Sequence, residues 1–181
     1  MLFRSDRERE LRRSELLENV ADTLYQPLYA ALSKLRKDFL SFQSSTMNAG
    51  FEAACTEFSE TAMELMRNGQ DLYLDTSLNE CLENLLNLLA NSINASEIKV
   101  RVEATGPGTK KWFSDPGSDI LQGDKAERLF ELPDLESRPN AAYQIHVAEV
   151  LAAPPRSKAF AWAIENLIHT ARTQIKDILH V

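Results

Sequence analysis

Residues 81–103 read CLENLLNLLANSINASEIKVRVE, and the hydrophobic period changes inside them. Leu82, Leu85, Leu86, Leu88, Leu89 and Ile93, with Leu78 and Cys81 just before, recur at helical spacing and cover more than half of a helix circumference. A helix so patterned is packed on two sides. From Glu97 the period becomes two: Ile98, Val100 and Val102 alternate with Lys99, Arg101 and Glu103, the signature of a half-buried strand. A helix that runs into a strand within a few residues excludes an all-helical bundle and predicts an α+β fold.

Working upstream, residues 6–43 form one amphipathic helix. Leu17, Val20, Leu24, Leu28, Leu32, Leu35 and Phe39 make a continuous apolar stripe that ends at Phe42. Pro27 lacks a backbone donor and kinks this helix near Thr23–Gln26 without shifting the phase of the stripe. After a polar turn at 43–48, a second helix presents Phe51, Cys55, Phe58, Ala62 and Leu65 on one face and closes at Gly69. These two helices make a hairpin whose first arm is the longer. The simplest cover for the surplus stripe is a second copy of the chain, giving a homodimeric four-helix stem with the stripe as its seam. The alternative cover is the domain that follows. Asp75-Thr76-Ser77 opens the third helix, with Ser77 and Glu80 spaced as a capping box. The expected division is therefore a helical hairpin at 1–74 and an α+β domain at 75–181.

Downstream of Val102, Gly106-Pro107-Gly108 is a turn, and Lys110–Phe113 is its hairpin partner. Residues 114–124 read as a loop, and Arg128–Leu132 and Tyr143–Leu151 as strands. A last helix follows Pro154-Pro155, burying Phe160, Ala163, Ile164, Leu167, Ile168, Ala171, Ile175, Ile178 and Leu179. The fold class is α+β, a helical hairpin followed by a small antiparallel sheet flanked by helices.

The 181 residues carry 20 Lys+Arg against 27 Asp+Glu, a net charge of −7. That balance argues against a protein that holds nucleic acid by bulk phosphate attraction. No apolar run is long enough to cross a membrane, and a charged first segment with two helical cysteines fits the cytoplasm. The charge is unevenly placed: residues 44–97 hold nine acids against Arg67 alone. Glu52, Glu57, Glu60 and Glu64 on the second helix are thus the expected docking face for a basic partner.

Catalytic chemistry has little to stand on. His146, His169 and His180 are read as structural or solvated, and Cys55 and Cys81 as core thiols, since each lies on an apolar helical face. No zinc spacing, nucleophile elbow or phosphate loop occurs, so no cofactor, metal or enzymatic activity is expected. Asn84, Asn87, Asn91 and Asn94 share a narrow face of the third helix although asparagine is a weak helix former. They read as a solvated face or one lying over polar groups at a sheet edge. Trp112 and Phe113 mark a ligand mouth or the packing of their own hairpin.

Two family resemblances follow. From residue 78 onward, Leu82–Val102, Leu129–Pro133, Tyr143–Val150 and Ala153-Pro154-Pro155-Arg156 come in an order that resembles the GAF/PAS-like sensor fold. That resemblance implies a ligand-binding sensor, with Trp112 and Phe113 at its mouth. Leu86–Ile93 followed by Ile98–Val102 resembles the N-box of histidine-kinase ATP-binding domains, in which asparagines help hold Mg²⁺ and ATP. It implies nucleotide contacts from Asn87 and Asn91, with Asp115 and Gly117 from a partial Asp-x-Gly box. Asp119 stands in place of that box's second glycine, and Leu17 in place of the phosphoacceptor His. A degenerate histidine phosphotransferase of this kind implies docking to a response regulator without phosphotransfer. The functional expectation is a non-enzymatic regulatory or adaptor protein, acting as a homodimer on another protein.

Overall fold

The computed structural model describes residues 11–12, 15–16, 18–44, 49–67, 74–105, 120–131 and 144–179. Among them the chain is α+β, with five α-helices and one three-stranded antiparallel sheet. The helices are α1 (Gln26–Ser44), α2 (Ala49–Arg67), α3 (Thr76–Ser92), α4 (Asp124–Glu131) and α5 (Lys158–Leu179). The strands are β1 (Lys99–Thr105), β2 (Ile120–Gln122) and β3 (Gln144–Ala152).

Alpha-helical residues 18–20 lead into a π-helical turn at Ala21–Tyr25, and α1 follows directly. In that turn the N–H of Gln26 donates to the carbonyl of Ala21, five residues back. Pro27 stands just beyond, with no N–H to give the preceding turn. The irregularity expected at Thr23–Gln26 is thus present as a widened turn, and the stripe stays in phase across it: Val20, Leu24, Leu28, Leu32, Leu35, Phe39 and Phe42 are all buried. Leu17 lies outside the described residues.

The chain divides into two compact units, Met1–Glu83 with Ile168–Val181, and Asn84–Leu167. Both borders fall inside helices, α3 and α5, whereas the sequence suggested one border between 74 and 75. The reason is the return of the chain end to the first unit. There Arg172 donates from Nη2 to the Tyr29 hydroxyl at 2.9 Å, and Gln174 donates from Nε2 to Ser77 Oγ at 2.6 Å. Ile168, Ala171 and Ile175 are fully buried.

The first unit therefore gathers α1, α2, the start of α3 and the end of α5. Its α1–α2 hairpin closes on aromatic rings: Phe51 stacks on Phe42 at 4.7 Å between centroids and lies tilted against Phe39 at 5.5 Å. Four helical segments of a single chain stand where four from two copies were expected, and the described stripe from Val20 to Phe42 is buried within the single chain. Leu32 has 0% exposure in the isolated chain. The dimer-seam reading of Val20, Leu24, Leu28, Leu32, Leu35 and Phe39 is corrected on this ground, because side chains already inside a core present no surface to a second copy.

The helix starts also depart from expectation. At α3 the cap is Asp75, whose carboxylate accepts from the Ser77 N–H at 3.1 Å. The Ser77 hydroxyl, expected in a capping box with Glu80, instead accepts from Gln174. At α5, Ser157 Oγ accepts from the N–H of Phe160 at 3.1 Å, a cap that follows the two prolines.

In the second unit β1 is the central strand of the order β2-β1-β3. Val100 and Val102 are buried, as the period of two requires. Arg101 pairs in register with Glu149 of β3, and their side chains form an ion pair at 2.7 Å. The partner of β1 on its other side is β2, so part of the expected 114–124 loop is strand. The hairpin partner expected at Lys110–Phe113 lies outside the described residues.

The expected strand at Arg128–Leu132 is a helix over its described part, α4. Gly123 turns the chain there with φ +64, a value that favours glycine, and its carbonyl accepts from Ala126 and Glu127 to start the helix. Ala126 and Leu129, three apart, point into the core, while Asp124 and Glu127 occupy the first turn, where acids suit the helix dipole. A short apolar run cannot distinguish strand from helix by period alone.

Candidate partner-binding surface

Helix α2 separates its residues cleanly. Phe51, Ala54, Cys55, Phe58 and Ala62 recur at three- and four-residue steps and are buried in the first unit. The opposite face carries Glu52, Thr56, Glu60, Met63 and Glu64, all exposed. Glu52, Glu60 and Glu64 lie along one line, and twelve residues of helix place its ends about 18 Å apart. Met63 stands in the same field at 44% exposure, an apolar contact among the acids.

Four acids were expected to act together, but the structure groups three of them. Glu57 turns toward α1 and forms an ion pair with Lys34. That contact raises the Lys34 pKa, chiefly through the hydrogen bond from its ammonium group. Both side chains are more than half exposed, so the pair adds little stability. Glu52, Glu60 and Glu64 bond to no cation among the described residues. Glu60 and Glu64, one turn apart with like charges, cost the helix a few tenths of a kcal/mol. The diversion of Glu57 was hidden in the sequence because Lys34 is 23 residues away.

Of the nucleotide-site candidates, Asn87 and Asn91 fall among the described residues. Asn87 is exposed. Asn91 donates from Nδ2 to the carbonyl of Leu151 at 3.3 Å, and its neighbour Ser92 accepts at Oγ from the N–H of Ala153 at 3.2 Å. The end of α3 is thereby tied to the exit of β3, so Asn91 satisfies a backbone group at the sheet, one of the two roles its helix face suggested. Asp115, Gly117, Trp112 and Phe113 lie outside the described residues.

Burial pushes the Cys55 thiol up to about 12, with the nearby Glu52 charge adding to it. Burial raises Cys81 as well, against a hydrogen bond with the Ala171 backbone. Both sulfurs are protonated near neutrality and act as small apolar side chains. His169 is exposed, while the side chains of His146 and His180 lie outside the description. Among the described residues no three His, Cys, Asp or Glu side chains are grouped to hold a metal. No described helix is long and apolar enough to cross a membrane.

Comparison with family models, curated proteins and solved structures returns no match for this chain.

Proposed function

We propose that this is a non-enzymatic regulatory or adaptor protein of the cytoplasm, which works by binding another protein through the acidic face of α2. The observation that carries the reading is the line of Glu52, Glu60 and Glu64 with Met63 among them, exposed and without a cation partner among the described residues. Like charges in one line are retained at a small cost to the helix, and a basic partner surface converts that cost into attraction. Met63 supplies apolar contact inside a charged rim, the usual anatomy of a protein interface.

Charge complementarity of this kind acts mainly on association rate and selectivity. Binding is therefore expected to weaken steeply as salt rises from about 50 to 300 mM. The test is capture of partners from the native cell with the wild-type chain and with a Glu52→Lys, Glu60→Lys, Glu64→Lys variant. The reading requires a specific protein that the variant loses while its helical content is kept. An unchanged set of captured proteins would sink it.

A further inference from the structure

Helix α5 changes unit along its length, at the step from Leu167 to Ile168. Residues 168–179 therefore serve the first unit, and their apolar hold on it is narrow. Ile168, Ala171 and Ile175 enter the core completely, whereas Ile178 and Leu179 are only half-buried. The neighbouring helices are anchored by larger sets: α1 buries Leu28, Leu32, Leu35, Phe39 and Phe42, and α2 buries Phe51, Ala54, Cys55, Phe58 and Ala62. Since burial stabilises in proportion to apolar area, two isoleucines and one alanine hold less firmly than either set. The α1–α2 hairpin also has contacts of its own that do not involve α5, the stacking of Phe51 on Phe42 and the Lys34–Glu57 ion pair.

The polar contacts of the same turns are incompletely matched. Arg172 donates from Nη2 to the Tyr29 hydroxyl at 2.9 Å, with its guanidinium carbon 4.9 Å from the ring centroid, yet its Nε is buried without an acceptor. Gln174 donates from Nε2 to Ser77 Oγ at 2.6 Å, yet its Oε1 is buried without a donor. Among the described residues these are the two buried side-chain polar atoms that lack a partner, and they stand two positions apart on one stretch of one helix. Each is desolvated without compensation while the helix is seated and regains water when it lifts. The groups that do answer this stretch, at Tyr29 and Ser77, are hydroxyls. Water replaces a hydroxyl partner at little net loss.

We infer that residues 168–179 form a releasable strap, the first part of the first unit to open, which lifts from α1 and the start of α3 while the α1–α2 hairpin stays closed. Lifting breaks the contacts to Tyr29 and Ser77 and withdraws Ile168, Ala171 and Ile175 from the core. The strap thereby controls access to the apolar surface beneath it, a regulatory contact within a single chain. This inference does not rest on the acidic face of α2, and either can fail alone.

The test is native-state hydrogen exchange of the full chain, followed on peptides from residues 168–179 and from α2. After correction for intrinsic rates, the strap should exchange at least about tenfold faster than α2. Gln174→Leu removes the buried, unanswered carbonyl and leaves the exposed Ser77 hydroxyl to water, so it should slow strap exchange about fivefold or more with α2 unchanged. Ile175→Ala trims the apolar hold and should speed the strap about thirtyfold or more, again with α2 unchanged. A common rate for the strap and α2 would mean that they open together and would overturn the inference. So would a Gln174→Leu variant whose strap exchanges as fast as the wild type or faster, or an Ile175→Ala variant in which α2 accelerates as much as the strap.

Discussion

Leu32→Ala tests whether the long apolar stripe of α1 is covered by its own chain. Leu32 has 0% exposure in the single chain. The substitution removes three carbons, about 2.4 kcal/mol of transfer free energy at about 0.8 kcal/mol each. A partly collapsed cavity adds about 1 kcal/mol more, for a total near 3 kcal/mol. Hydrogen exchange read on the peptide spanning α1 reports the opening of the first unit directly, without requiring the two units to unfold together. The measurement is made at about 2 and about 100 µM protein. Core packing within one chain predicts the loss near 3 kcal/mol at both concentrations, with wild-type protection independent of concentration. A dimer seam predicts a gain of half of RT ln 50, about 1.2 kcal/mol per chain, between the two wild-type samples. A concentration-dependent wild type, or a mutational loss under about 1 kcal/mol, would refute the burial argument.

Alkaline titration separates the buried Cys55 thiol from the rest of the molecule. Its pKa in the fold, about 12, lies above the ordinary 9.0, so its contribution is complete below pH 9 and is lost as pH rises toward 12. Between pH 8 and 10.5 the wild type should lose about 2 kcal/mol more stability than Cys55→Ala, as read by urea unfolding; parallel losses would place the thiol in water. Ser92→Ala strands the Ala153 N–H, and thermal unfolding should show a cost of about 1–3 kcal/mol. Gly123→Ala places a Cβ at φ +64 with no neighbour closer than 3.9 Å, so its cost is conformational alone, about 1–2 kcal/mol in urea. A larger loss would mean that the turn is crowded.

Much of the secondary structure was legible because it rests on local periodicity. The stripe from Val20 to Phe42, the face of α2 from Phe51 to Ala62, the change of period at Glu97 and the apolar face of α5 are all statements about neighbours within a few turns. The acidic face of α2 was legible for the same reason, since a buried stripe leaves the opposite residues outside. Where the local signal was short it misled. Arg128–Leu132 holds too few apolar residues to set a period, and the positive φ of Gly123, which starts α4, is a backbone angle that composition does not display. The cap at α3 is Asp75, while the Ser77 hydroxyl accepts from a distant partner, Gln174.

Sequence by itself determined that this chain is α+β, where its long helices run, which residues enter the core and where its acids gather. Tertiary structure alone decided what covers the α1 stripe, because that depends on the chain end returning through α5 and not on any pattern within residues 18–44. It also decided that Glu57 pairs with Lys34, that Asn91 serves the backbone of β3, and that Arg172 reaches the Tyr29 hydroxyl. Each of these joins residues far apart in sequence. A hydrophobic or charged period states which side of an element seeks a partner, and only the packed chain states which partner is there.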